Sequence, residues 1–161
     1  MNAIIIDYWQ RCREALAPEF QRKELPDSVF EFSPPKELAD KLTNLVLIGI
    51  KTASCSRYTD YERDGEPLPK QGNIEVLVDG SGTPVAIIEI VDVFLSPFNE
   101  VPDWFAYAES EGDRSLSHWR EVHRKFFSVD WPANEPFSEN LRLVCEQFRV
   151  LHQFPANNER S

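Results

Sequence analysis

The chain has 161 residues, 42% of them hydrophobic and 27% charged. That is enough for one domain that buries roughly 70% of its unfolded surface, and it argues against disorder. A net charge of -10 disfavours indiscriminate binding to long nucleic acid, while leaving room for a local basic groove, because binding depends on where charge sits. No apolar run approaches the roughly 20 residues of a membrane span, and no signal-peptide pattern opens the chain. Cys12, Cys55 and Cys145 show neither pairing nor metal-type spacing, so the reading is of reduced thiols in a cytoplasmic protein.

Ile5, Trp9, Cys12 and Leu16 recur at helical spacing and predict a packing helix over about 1–16. Pro18 to Phe32 reads as a mixed connector. Ser33 offers an N-cap, Pro34 a first helical position and Glu37 a first-turn acid. Leu38, Leu42 and Leu45 supply an apolar stripe that Gly49 stops. Lys51 to Arg57 then begins an extended segment in which a lysine precedes Ser54 by three residues. A lysine near a hydroxyl serves as base or anion holder; on an exposed strand the same residues are simply solvated.

Asp60 to Gly72 reads as a loop. Ile74 to Val78 and Pro84 to Phe94, joined through Gly80-Ser81-Gly82, predict a hairpin. Glu89 falls inside its apolar run and needs a cation, a pocket or an outward aim. Two helices follow, one over about 102–111 and one from Ser115 that carries Leu116, Trp119, His123 and Phe126 on one stripe, with Arg120 and Arg124 on another face. After a loop around Pro132 and Pro136, Leu141 to Leu151 closes as a strand, and the tail from Pro155 is polar. Charge is uneven: five acids and no base lie between Asn99 and Asp113, and four bases against one acid between Arg114 and Lys125. Such neighbours make either a polar cleft or two solvated helix faces.

Several segments together resemble the ASCH domain family of the PUA-like superfamily in its longer bacterial form. They are the helix ending at Gly49, Lys51-Thr52-Ala53-Ser54, the turn Pro69-Lys70-Gln71-Gly72-Asn73, the strand around Ile87-Ile88-Glu89-Ile90, Phe98-Asn99-Glu100-Val101 and Ala108 to Leu116, followed by Trp119-Arg120 and His123. The match covers roughly Pro34 to Leu151. It implies an α+β fold, a small PUA-like β-barrel surrounded by helices, with residues 1–161 as a single such domain. It also implies a cleft suited to RNA or a nucleoside.

Family activities include cleavage of single-stranded RNA and removal of the acetyl group from N4-acetylcytidine. The amidohydrolase pattern of lysine, threonine and glutamate falls on Lys51, Ser54 and Glu111, with serine in place of threonine. The pattern's arginine meets Ser56, and Arg57 comes one position later, which on a regular strand turns it to the opposite face. The expected function is an RNA-binding hydrolase, first a ribonuclease on single-stranded RNA. The alternatives are an amidohydrolase using Lys51, Ser54 and Glu111, and a non-catalytic module binding RNA or modified nucleotides. In the ribonuclease, Lys51, Arg57, Arg114, Arg120, His123 and Arg124 are the candidate RNA contacts, and His123, Glu111 or Glu89 the acid or base. A divalent cation such as Mg is a candidate cofactor there, although no spacing identifies its ligands.

Overall fold

The structure is a computed structural model that describes residues 1–132, 134 and 136–153; the tail expected from Pro155 lies outside them. α1 (Ala3–Arg13) is capped by the Asn2 side chain and buries Ile5, Tyr8, Trp9 and Cys12. The connector that follows holds more structure than its sequence suggests: a short α2 (Pro18–Gln21) and a three-residue β1 (Ser28–Phe30). β1 is too short to announce itself. It runs parallel to β3 (Ile74–Val78), and Asp27 fixes it there by exchanging bonds with Ile74 through its backbone amide and its carboxylate.

α3 (Lys36–Leu47) starts two residues later than expected, with Pro35 and not Ser33 at the N-cap. Pro34 precedes a second proline, and that position is steered away from helical dihedrals. The buried face is Ala39, Thr43 and Val46, whereas Leu38 is 40% exposed. Small residues on that face let α3 pack tightly against the hairpin turn, where a Cβ on Gly80 would lie 2.6 Å from the Lys36 carbonyl oxygen. Leu38 and Leu42 line a cleft instead of the core. Gly49, at φ +81°, stops the helix as expected.

β2 (Ala53–Arg57) leads into α4 (Tyr58–Asp64), a helix within the expected loop. Its seven residues carry no buried face, so no periodicity marked it. β3 and β4 (Pro84–Pro97) form the expected hairpin, and Glu89 on β4 pairs with Arg149 at 2.6 Å. α5 (Asp103–Glu109) ends at Ser110, which adopts φ +65°. α6 (Leu116–Phe127) is capped by Ser115 and buries Trp119, His123 and Phe127, leaving Phe126 41% exposed. The buried aromatic is thus one residue further along than the stripe suggested. β5 (Arg142–Gln153) closes the described chain.

Among the described residues the strands form one curled half-barrel sheet in the order β1-β3-β4-β5-β2, and with six α-helices around it the α+β architecture is as expected. Ala53, Leu143 and Cys145 pack under α5 and α6, and α1 covers Ile74, Val76 and Ile87. A third cluster holds Leu77, Ile88, Ile90 and Phe148 against Val46 of α3. No helix among the described residues is long and apolar enough to cross a membrane.

Candidate functional site

The segment after Gly49 is sewn to the end of α5. The Thr52 amide donates to the Ala108 carbonyl, the Ser110 hydroxyl to that of Ile50, and Lys51 Nζ to that of Glu109 at 3.1 Å. Lys51 is 2% exposed, yet its ammonium is not stranded, because it also meets Glu109 Oε2 at 3.3 Å. The same carboxylate oxygen lies 3.2 Å from His123 Nε2. His123 Nδ1 is 2.8 Å from the Trp119 carbonyl oxygen. A carbonyl and a carboxylate only accept, so this ring geometry suits an imidazolium that donates from both nitrogens.

Burial would raise the Glu109 pKa, but the charges of Lys51 and His123 outweigh it and bring it down to about 2. For His123 burial pulls downward, and the neighbouring Glu109 carboxylate turns the net shift upward. The Cys55 thiol is pushed well above its ordinary value by burial and then by the Glu109 charge. Glu109 Oε1 is buried without a hydrogen-bond partner among the described residues.

Cys55, Glu109 and His123 bring ligand atoms within 4.8 Å of one another, a set of the types that hold zinc. Against a metal stand the Lys51 ammonium, which sits on Oε2 and leaves only Oε1 without a partner among the described residues, and a thiol biased to its neutral form. Mg, which prefers oxygen ligands, fits this trio less well still.

Lys51 and Glu109 lie on the wall of a cleft of about 1100 Å³, which Ser54, Arg57, Glu111 and His123 also line. Glu111 is half-buried, with Oε1 3.9 Å from His123 Nε2. Nine acids line the cleft, against the bases Lys51, Arg57 and Lys70 and one histidine. Strand alternation divides its walls. Ser54 stands opposite Glu146 in the β2–β5 register, and Cys55 opposite Cys145. Ser54 therefore shares a sheet face with Glu146, while Cys55 shares the other with the charged cluster.

Arg57 donates to Asp60 and to the Val129 carbonyl. The other arginines singled out from sequence do not line the cleft. Arg114 lies 3.6 Å over the Tyr107 ring, Arg120 donates to the Asn99 carbonyl, and Arg124 pairs with Glu139. α6 turns Val122, His123 and Phe126 to the cleft and carries Arg120 and Arg124 elsewhere.

Glu109 and Glu146 were missed by sequence reasoning. Glu109 had a legible signal, since Phe105, Ala106 and Glu109 share one helix face and the first two are apolar. An acid on a buried helix face needs a cation. Glu146 sits inside Val144-Cys145-Glu146-Gln147-Phe148, the same kind of anomaly as Glu89.

A family model for the ASCH domain matches residues 28–152. Among solved structures, the chain is similar to an ASCH domain from Lactobacillus crispatus JV V101, with 34% identity over 94% of this chain and 96% of that one and a TM-score of 0.83. It is also similar to a protein from Enterococcus faecalis V583, with 29% identity over 100% of this chain and 98% of that one and a TM-score of 0.82. No curated protein matches.

Proposed function

The chain belongs to the ASCH domain family, a PUA-like family whose domains are generally RNA-binding, and on that premise we propose that it is an amidohydrolase acting on acylated nucleosides of the N4-acetylcytidine type. The observation that carries this reading is the charge of the cleft. Nine acids face three bases, so the acids stay in excess even with Glu146 kept neutral by burial, and the buried base, Lys51, is already paired with Glu109. An RNA phosphodiester chain gains little in such a field, whereas a neutral nucleoside is not repelled.

β2 is the last strand of the sheet, so a substrate folded over its edge can meet Ser54 on one face and the Lys51 cluster on the other. In this reading the Ser54 hydroxyl attacks the acyl carbonyl, and Glu111, reaching over that edge, takes its proton and returns it to the departing nitrogen. Lys51 has three N–H groups, two of them on Glu109, and the third holds the oxyanion. Water then attacks the acyl-serine by the reverse proton route, releasing the carboxylic acid. Glu109 fixes Lys51 in place and acts through it.

A ribonuclease on single-stranded RNA is the second reading, favoured by Arg57 and Lys70, which line the same cleft. Purified wild type and Ser54→Ala, each given N4-acetylcytidine and a short unstructured RNA, separate the two. The proposal expects acetate and cytidine from wild type and at least a hundredfold loss in Ser54→Ala, with intact RNA throughout. RNA fragments that vanish in Lys51→Ala, with no acetate from wild type, would replace it by the nuclease reading.

A further inference from the structure

Glu146 is 93% withdrawn from solvent, being 7% exposed, and it lines the cleft. Among the described residues its carboxyl group makes no hydrogen bond and no ion pair, and its oxygens are not among the fully buried atoms that lack a partner, so they keep contact with the cleft. The titratable groups that interact with it among the described residues are Glu75 from β3, Tyr61 from α4 and its neighbour Cys145 on β5, and none supplies positive charge. Tyr61 is engaged with Ser56 at 3.0 Å, and burial raises the Glu75 pKa while the Ser28 side chain counters it. Phe30, Phe32 and Tyr61 add aromatic surface to the same cleft. A carboxyl group that opens only onto a cleft with aromatic walls, and has no protein partner among the described residues, is a ready complement to a planar, hydrogen-bonding ring.

We propose that Glu146 is the base-recognition residue of the cleft, binding the edge of a nucleobase that offers an N–H donor beside an unprotonated ring nitrogen, as cytosine does. This rests on the nucleoside reading of the cleft and names the part of the substrate that the acid reads. A protonated carboxyl group satisfies such an edge with two bonds, its O–H donating to the ring nitrogen and its carbonyl oxygen accepting from the N–H. Burial, with the Glu75 charge added, raises the Glu146 pKa to about 8 and so keeps it in that form near neutrality. The register supplies the link to chemistry, because Ser54 is the direct cross-strand partner of Glu146. Side chains so placed start about 5 Å apart, so a base held by its exocyclic N–H at Glu146 presents an acyl group on that nitrogen to Ser54.

Binding of cytidine, which carries no acyl group and cannot be turned over, tests recognition separately from hydrolysis. Isothermal titration at pH 6.5 and pH 9 would compare wild type, Glu146→Gln and Glu146→Ala, each checked for folding by circular dichroism. Wild type should bind at pH 6.5 and lose about tenfold or more at pH 9, as the donated hydrogen bond is lost. Glu146→Gln, which keeps a donor and an acceptor at both pH values, should bind alike at each, and Glu146→Ala should be weak at both. Absence of cytidine binding by wild type, a folded Glu146→Ala that binds like wild type, or the same pH profile in wild type and Glu146→Gln would overturn the proposal. Glu146-dependent binding without any acetate release would leave recognition standing and remove the hydrolase reading alone.

Discussion

Glu109 and Glu146 are both buried acids, 2% and 7% exposed, on the two sides of the β2–β5 ribbon, yet their surroundings drive them in opposite directions. Glu109 has Lys51 and His123 within 3.3 Å and is held down to about 2. Glu146 has no cation beside it among the described residues, faces another acid, and is pushed up to about 8. Burial opposes ionisation in both places, and the local partner decides the outcome. The first region is a finished structural unit that holds a lysine at the edge of a cleft. The second is unfinished, and its missing partner is what a ligand can supply.

The comparison is most severely tested by breaking the finished side. Glu109→Ala leaves Lys51 and His123 buried without their counter-charge and should destabilise the fold by about 3–5 kcal/mol, measured by urea unfolding at pH 7. A loss under about 1 kcal/mol would mean that the cluster is wetter and looser than its geometry. The wild-type acid limb follows with its own sign. The Glu109 carboxyl ionises at a lower pH folded than its ordinary 4.5, so its contribution is full above about 4.5 and is lost as pH falls toward about 2.

The unfinished side has the opposite slope. Glu146 keeps its proton up to about 8 when folded and loses it near 4.5 when unfolded, so stability from this group is present below about 4.5 and lost as pH rises to about 8. Glu146→Gln removes that liability. Its stability relative to wild type should be nearly unchanged at pH 4.5 and should rise by roughly 2–4 kcal/mol at pH 9, read from thermal melts across pH. A constant difference would show that Glu146 is ionised throughout. The smallest effect belongs to the surface. Arg149 pairs with Glu89 on the sheet, but its side chain is 61% exposed, and Arg149→Ala should cost no more than about 1 kcal/mol in the same assay.

Local signals carried the sequence reading well where one segment decides its own shape. Gly49 ending α3, the hairpin around Gly80-Ser81-Gly82 and the Ser115 cap all act within a few residues. β1 and α4 were not legible, because one depends on pairing with a strand more than forty residues away and the other has no buried face. At the site, Lys51, Ser54 and Glu111 were named from the family resemblance, and they line one cleft together with Arg57 and His123. The acid bonded to Lys51 is Glu109, two residues before the one named, because α5 ends at Ser110 and leaves Glu111 beyond the helix. Charge pattern pointed to Arg114, Arg120 and Arg124, but each is engaged away from the cleft, since helical spacing says which residues share a face and not what that face meets.

The two regions are proposed as the two halves of one site, and a crystal structure of Ser54→Ala soaked with N4-acetylcytidine tests that most directly. The account predicts the base between the aromatic walls, its ring-nitrogen edge within hydrogen-bonding distance of Glu146 and its acyl oxygen within reach of Lys51 Nζ. A nucleoside bound on the outer face of α6 near Arg120 and Arg124, with the cleft left to water, would contradict it.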